Sequence, residues 1–182
     1  MARQLLLTIA AENLSPPATE ANGEKAIKSW LSAKGLNFKE LVIENGSGLS
    51  RVERISAEHL GQMLVSAYHS PVMPELMASL PILSQDGTIK KRLVDSQSNG
   101  RAHLKTGSID GVSAIAGYVL DANNHRHVLV MLVNHTEAAA SKEDIQFMQA
   151  MNVLKGLPVQ KTPEAKAIEA KLGDAKATDA KK

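Results

Sequence analysis

The stretch that most constrains how this chain can fold lies between residues 102 and 134. Residues 102–109, 113–121 and 127–134 are three apolar segments of strand length separated by turn signals. Asp110-Gly111 joins the first two, and both residues tolerate the positive φ angles that a tight hairpin turn demands. Asn123-Asn124 supplies a looser turn before the third. Strands joined by such short connections pair antiparallel. The run Val128-Leu129-Val130-Met131-Leu132-Val133 lacks polar alternation, which predicts a central strand covered on both faces.

Ahead of the strands the pattern is helical. Residues 2–12 read as a helix with no N-terminal cap, so its first turn leaves backbone donors unpaired and something upstream is expected to be missing. Ser15-Pro16-Pro17 breaks it. A second helix is expected from about Ala21, with Ile27, Trp30 and Leu31 on one face and Gly35 just past its end. Ser56 is placed to cap a third helix carrying Leu60, Met63, Leu64, Ala67 and Tyr68, which stops before Pro71. A brief helix between Pro74 and Leu80 opens with proline at a favoured first position. Residues 84–100 are polar and read as a surface excursion with turns at Asp86-Gly87 and Asn99-Gly100. After the strands, Ser141 and Asp144 resemble a capping box for a last helix bearing Ile145, Met148, Met151 and Leu154. Helices, three antiparallel strands and a closing helix make an α+β arrangement, helices packed on a sheet.

Charge separates the body from the tail. Residues 1–160 hold fifteen Lys plus Arg and fifteen Asp plus Glu, so the formal net charge of +2 comes from six lysines against four acids after residue 160. A neutral body lacks the basic face that phosphate binding needs, and no nucleic-acid partner is expected. The tail, residues 158–182, is Lys/Ala-rich and repeats about every five residues, a period that holds no single helical face; it is expected to be a disordered, solvating extension. No apolar run reaches the ~18 residues of a membrane span. Leu5-Leu6-Leu7 after a single Arg mimics a signal peptide poorly, because Glu12-Asn13 follow at once. With no Cys, disulfides and thiolate metal sites are excluded. His125 and His127, two residues apart, could share a face but have no suitably spaced third ligand and no accompanying carboxylate pair; they read as hairpin surface, and no metal is expected, nor any other cofactor.

Four motifs then occur in one order. Glu44-Asn45-Gly46-Ser47-Gly48-Leu49-Ser50-Arg51 comes first, and Asp86-Gly87-Thr88 with Arg92 follows. Next come Lys105-Thr106-Gly107-Ser108, leading into Asp110-Gly111-Val112, and finally Ala116-Gly117-Tyr118. A Lys-Thr-Gly triplet at the head of an apolar hairpin is one of three elements of the serine acyl-transfer enzymes that act on penicillins and D-alanyl peptides. Together the motifs resemble the C-terminal half of the low-molecular-mass penicillin-binding proteins of the D-alanyl-D-alanine carboxypeptidase and endopeptidase family, peptidase S13. The resemblance covers about residues 1–157 and leaves out the tail.

The resemblance implies a partial penicillin-binding-protein/β-lactamase-like transpeptidase fold, with three C-terminal strands present and the N-terminal strands missing. It implies that the outer edge of the residue 128–133 strand, which a missing strand would cover, is open in this chain. It also implies site roles. Lys105 supplies positive charge toward the nucleophile and the substrate carboxylate, Thr106 offers a hydroxyl to that carboxylate, Gly107 lets the substrate backbone lie against the strand, and the Ser108 N–H is an oxyanion donor. The implied ligands are peptidoglycan stem peptides and β-lactams, and the implied location is the periplasm.

Two family motifs are not found in the 182 residues: Ser-x-x-Lys, which holds the nucleophile and its activating lysine, and Ser-x-Asn. In the family Ser-x-Asn immediately precedes a helix like Ala2-Arg3-Gln4-Leu5-Leu6, so the chain is expected to start just after it. Ser47 and Ser50 are no substitutes, because their loop has no base within sequence reach and its residues suit turns. Arg51 is expected to anchor that loop. A noncatalytic peptidoglycan-peptide or partner-binding module is the competing reading.

Overall fold

The computed structural model describes residues 1–14 and 16–134. These fall within one compact unit, Met1–Lys142; a second unit, Glu143–Lys182, lies outside the described residues. The helix expected after Ser141 and the Lys/Ala-rich tail lie outside them too.

Four helices come first: α1 (Ala2–Leu14), α2 (Glu20–Ala33), α3 (Ala57–Tyr68) and α4 (Met73–Ser79). A 3-10 turn at Gly87–Ile89 precedes the strands β1 (Ala102–Ile109), β2 (Val112–Leu120) and β3 (Arg126–Asn134). The starts of α2 and α3 have local causes. Thr19 Oγ1 accepts from the Asn22 amide at 3.2 Å, and Ser56 Oγ accepts from the His59 amide at 3.1 Å. Each cap satisfies a donor that the first turn cannot, typically worth about 1 kcal/mol. Gly35, at φ 75°, turns the chain away after α2.

α1 and α2 pack so closely that a Cβ on Gly23 would lie 2.6 Å from Leu6 Cδ1. Beyond α2, Leu31, Phe38 and Leu41 form a buried cluster lined by Ile27, Ile43, Ile55 and Met63. Glu40 closes this cluster against the start of α3. Its Oε1 accepts from the Ser56 amide at 2.9 Å and meets His59 Nδ1 at 2.6 Å, and the imidazole stacks on Phe38 with centroids 4.6 Å apart. Hydrogen bonding from Ser56, helped by the Glu40 backbone and His59, lowers the Glu40 carboxyl to a pKa of about 2. Trp30, expected on the buried face of α2, is 54% exposed with Lys34 Nζ 4.9 Å from its ring centroid. The helix buries Leu31 instead, and the indole is left to a cation–π contact at the surface.

The sheet is antiparallel in the order β1-β2-β3. Its register pairs Leu104 with Gly117, Lys105 with Ala116 and Gly107 with Ala114. Gly117 is required by sterics: at φ 150°, a Cβ there would lie 2.1 Å from the His103 carbonyl oxygen. Beside it, Tyr118 is buried, and its hydroxyl donates to the Leu64 carbonyl at 2.7 Å, fastening α3 to the sheet. Burial pushes the Tyr118 hydroxyl pKa up, so it remains a donor. Gly61 of α3 faces Val130, where a Cβ would sit 3.9 Å from Val130 Cγ2.

Two expectations change here. β3 is the outer strand among the described residues, with residues 128–133 half-buried rather than enclosed. Its outward edge has no strand partner among them, as the family resemblance implies for this chain. An unbroken apolar run signals burial of both faces, but it does not say which edge is paired. The polar stretch at residues 84–100 is no simple excursion either, since Ile89 and Ser98 are fully buried, as is Leu83 just before it. Single apolar residues between turn formers carry no periodicity for a sequence reading to detect.

Gly117→Ala is expected to destabilise the protein by at least about 2 kcal/mol, because backbone stands where the new methyl must go. Urea unfolding that leaves the midpoint within error of the wild type would contradict this. The Glu40 clip predicts a pH dependence with a definite sign. Its folded-state pKa, about 2, lies below the ordinary glutamate value of 4.5. Its contribution is therefore fully present above pH 4.5 and is lost as pH falls toward 2. Glu40→Gln should be less stable than the wild type at pH 7, with the gap narrowing as pH falls toward 3, read from denaturation midpoints.

Candidate active-site strand

β1 has two edges with different fates. One pairs with β2 along its whole length. On the other, the Leu83 amide donates to the Ala102 carbonyl and the Leu104 amide donates to the Pro81 carbonyl, both at 2.9 Å. Residues 81–83 therefore cover this edge only as far as Leu104. Peptide groups alternate sides along a strand, so Thr106 and Ser108 point their N–H and C=O groups the same way as Ala102 and Leu104. Among the described residues, no backbone group pairs with that edge beyond Leu104. An extended ligand could add itself there as a strand.

The side chains sort accordingly. Lys105 is exposed, and its Nζ donates to the Thr106 carbonyl at 2.5 Å. Thr106 is half-buried, with its Oγ1 2.6 Å from Thr88 Oγ1. Gly107 and Ser108 are exposed. Among the described residues, a Cβ on Gly107 would meet only Ala114 Cβ, at an ordinary 3.6 Å. Packing thus explains the glycine at 117 but not the one at 107, which leaves the strand bare where a ligand backbone could approach.

The Gly-rich loop reaches this strand through one residue. Arg51 Nη1 donates to the Asp110 carbonyl at 2.6 Å, tying the loop to the β1–β2 turn beside Ser108. The expectation of an anchor holds, and the structure adds its partner, 59 residues away. Both loop serines serve turns. Ser47 Oγ donates to Asn45 Oδ1 at 2.6 Å and accepts from the Leu49 amide, while Ser50 Oγ accepts from the Val52 and Glu53 amides. Gly46, at φ 72°, lets the loop rest on α1, where a Cβ would approach Leu6 Cβ to 3.2 Å.

His125 lies in the β2–β3 connection and His127 is the second residue of β3, both at the end of β2 opposite the Asp110-Gly111 turn. The Asp121 carboxylate meets both, His127 Nε2 at 3.1 Å and His125 Nδ1 at 3.4 Å. It also accepts from the Asn123 and His125 amides at 2.8 Å. The His127 contact, reinforced by these amides, lowers the Asp121 carboxyl to a pKa of about 2. Arg101 Nη2 completes the turn by donating to the Asp121 carbonyl and to Asn124 Oδ1. This cluster organises a turn and stands apart from the open edge of β1. Thr88 is the residue at that edge which the sequence reading left without a role, although it stood in one of the four motifs.

An α+β fold whose open-edged β1 carries Lys-Thr-Gly is the class defined by penicillin-binding proteins, and comparison with known proteins agrees. Residues 1–154 match the model of the D-Ala-D-Ala carboxypeptidase 3 (S13) family, and the chain belongs to that family. The D-alanyl-D-alanine carboxypeptidase DacB of Haemophilus influenzae is 29% identical over 136 residues, which are 74% of this chain and 28% of that protein. A D-alanyl-D-alanine carboxypeptidase of an Actinomadura species is 32% identical over 123 residues, 65% of this chain and 23% of that one. The structure of penicillin binding protein 4 from Haemophilus influenzae in complex with a β-lactam superposes with a TM-score of 0.72 at 28% identity, covering 81% of this chain and 35% of that one. A predatory endopeptidase from Bdellovibrio bacteriovorus shares the fold, with a TM-score of 0.60 at 16% identity. The chain thus spans about a quarter of the length of these curated relatives.

Arg51→Met should remove the tie between loop and turn while leaving the core intact. A single exposed side-chain bond is worth about 1 kcal/mol or less, so the melting midpoint should shift little. Amide exchange at residues 110–112 should nevertheless speed up in the variant, and unchanged exchange there would show that Arg51 does not hold the turn.

Proposed function

We propose that this chain provides the Lys-Thr-Gly wall of a serine-type D-Ala-D-Ala carboxypeptidase/endopeptidase of peptidoglycan metabolism, whose complete form acts in the periplasm on stem peptides and is acylated by β-lactams. The observation that carries the proposal is the β1 edge, closed through Leu104 and, among the described residues, without a backbone partner at Thr106 and Ser108 beside an exposed Lys105. Membership of the S13 family and the names of the relatives support it.

In such an enzyme a serine hydroxyl attacks the carbonyl of the D-Ala-D-Ala bond and loses its proton to a base. The terminal D-Ala departs as the acyl-enzyme forms, and water then releases the acyl group. The residues here fit three demands of that sequence. Lys105 places a positive charge toward the terminal carboxylate, an attraction that grows as water leaves the site. Thr106 offers its hydroxyl to the same carboxylate. The Ser108 N–H, on the open edge, is aimed to stabilise the oxyanion of the tetrahedral intermediate, where loss of one donor costs about 3 kcal/mol. Gly107 leaves room for the substrate backbone between them.

The nucleophile, its lysine and the Ser-x-Asn groups are not among these 182 residues, so the chain by itself should bind weakly and hydrolyse nothing. The same observation favours a second reading, a noncatalytic module that retains the groove for peptidoglycan peptides or a protein partner. Among the described residues no helix is long and apolar enough to cross a membrane.

Incubation with a fluorescent penicillin should leave no covalent band on the 182-residue chain after denaturing electrophoresis. A stable band would mean that an unrecognised nucleophile acts within it.

A further inference from the structure

The open edge of β1 begins where the segment after α4 stops covering it, and that segment does one more thing. Residues 81–83 pair with β1, and the chain then turns back on itself. Asp86 Oδ1 accepts from the Ile82 amide at 2.5 Å, the Ser84 amide donates to the Ile89 carbonyl at 3.2 Å, and the Ile89 side chain is fully buried. These contacts fix the 3-10 turn Gly87–Ile89 against the strand. Thr88, exposed in that turn, lies with its Oγ1 2.6 Å from Thr106 Oγ1.

We propose that Thr88 is a positioning residue for the ligand carboxylate, acting through the hydroxyl of Thr106; the inference rests on the groove reading above and deepens it. A hydroxyl has one proton and two lone pairs. In the empty groove either threonine can donate to the other. A carboxylate accepts only, so the Thr106 proton must turn to it, and Thr106 Oγ1 is then left to accept. Thr88 is held where its proton can fill that role. The result is a one-way relay in which Thr88 O–H donates to Thr106 Oγ1 and Thr106 O–H donates to the carboxylate, each bond polarising the next. The relay also pins the Thr106 side chain in one rotamer, so the donor is oriented before ligand arrives and little ordering is needed on binding. The buried Ile89 and the pairing of residues 81–83 with β1 make the support rigid.

The test uses the 182-residue chain and two probes, acetyl-D-alanyl-D-alanine and its C-terminal amide, titrated into the millimolar range while backbone amide shifts of residues 105–108 are followed. The wild type should prefer the acid to the amide. Thr88→Val keeps the shape but removes the donor, and it should lower affinity for the acid about five- to tenfold, the size of one net hydrogen bond, while leaving the amide unaffected. Thr88→Ser should restore the preference. Independently of ligand, three-bond couplings from Thr106 Cγ2 to its backbone should report one rotamer in the wild type and in Thr88→Ser, and averaging in Thr88→Val. Thr88→Ala gives the same readouts should valine disturb the turn. If Thr88→Val keeps the acid preference, or Thr106 stays in one rotamer, the inference alone is overturned. If the wild type does not distinguish acid from amide, the groove reading falls and the inference falls with it.

Discussion

The unequal covering of the β1 edge is the constraint on which the candidate site depends. A strand with both edges paired throughout would be interior sheet, with no backbone groups to offer. One with an edge bare throughout would expose Ala102 and Leu104, which are fully buried here. Two hydrogen bonds from residues 81–83 divide the edge at Leu104. Everything specific to the site follows from that boundary: among the described residues no backbone group pairs with Thr106 or Ser108 on that edge, and the 3-10 turn that continues from the covering segment carries Thr88 to Thr106.

The rest of the unit holds β1 in place. Gly117 allows β1 to approach β2 closely, and Tyr118 ties β2 to α3 through a buried hydrogen bond. α3 is in turn started by Ser56 and clamped by Glu40, which brings in the cluster around Phe38. The loop after that cluster returns to the site through Arg51. The chain of contacts runs from helix cap to sheet to hairpin turn, and its members come from positions as far apart in sequence as Glu40 and Tyr118.

Much of this was legible in the residues. The strands and the α3 cap at Ser56 follow from local chemistry: turn residues with positive φ, hydroxyls that cap, apolar spacing. The Lys-Thr-Gly motif and its companions pointed to the family because their order, not any one of them, is specific. What escaped was non-local or lacked periodicity. Trp30 lies at helical spacing with Ile27 and Leu31, yet the neighbouring elements bury Leu31 and leave the indole out. Ile89 stands alone among turn formers and still belongs to the core. Residues 128–133 read as central from hydrophobicity alone, although strand order is a property of pairing.

By itself the sequence determined the class of fold, the order of its elements and the family, because each of these is written in short-range patterns that backbone sterics and hydrogen bonding interpret locally. It also determined that no Ser-x-x-Lys or Ser-x-Asn accompanies the Lys-Thr-Gly strand within these residues. Only the tertiary structure decided where β1 is open, which glycine is a packing necessity and which is a bare stretch of groove, and that Thr88 meets Thr106. Those facts depend on segments that meet across tens of residues, and a hydrogen bond of 2.6 Å between them leaves no trace in the spacing of either.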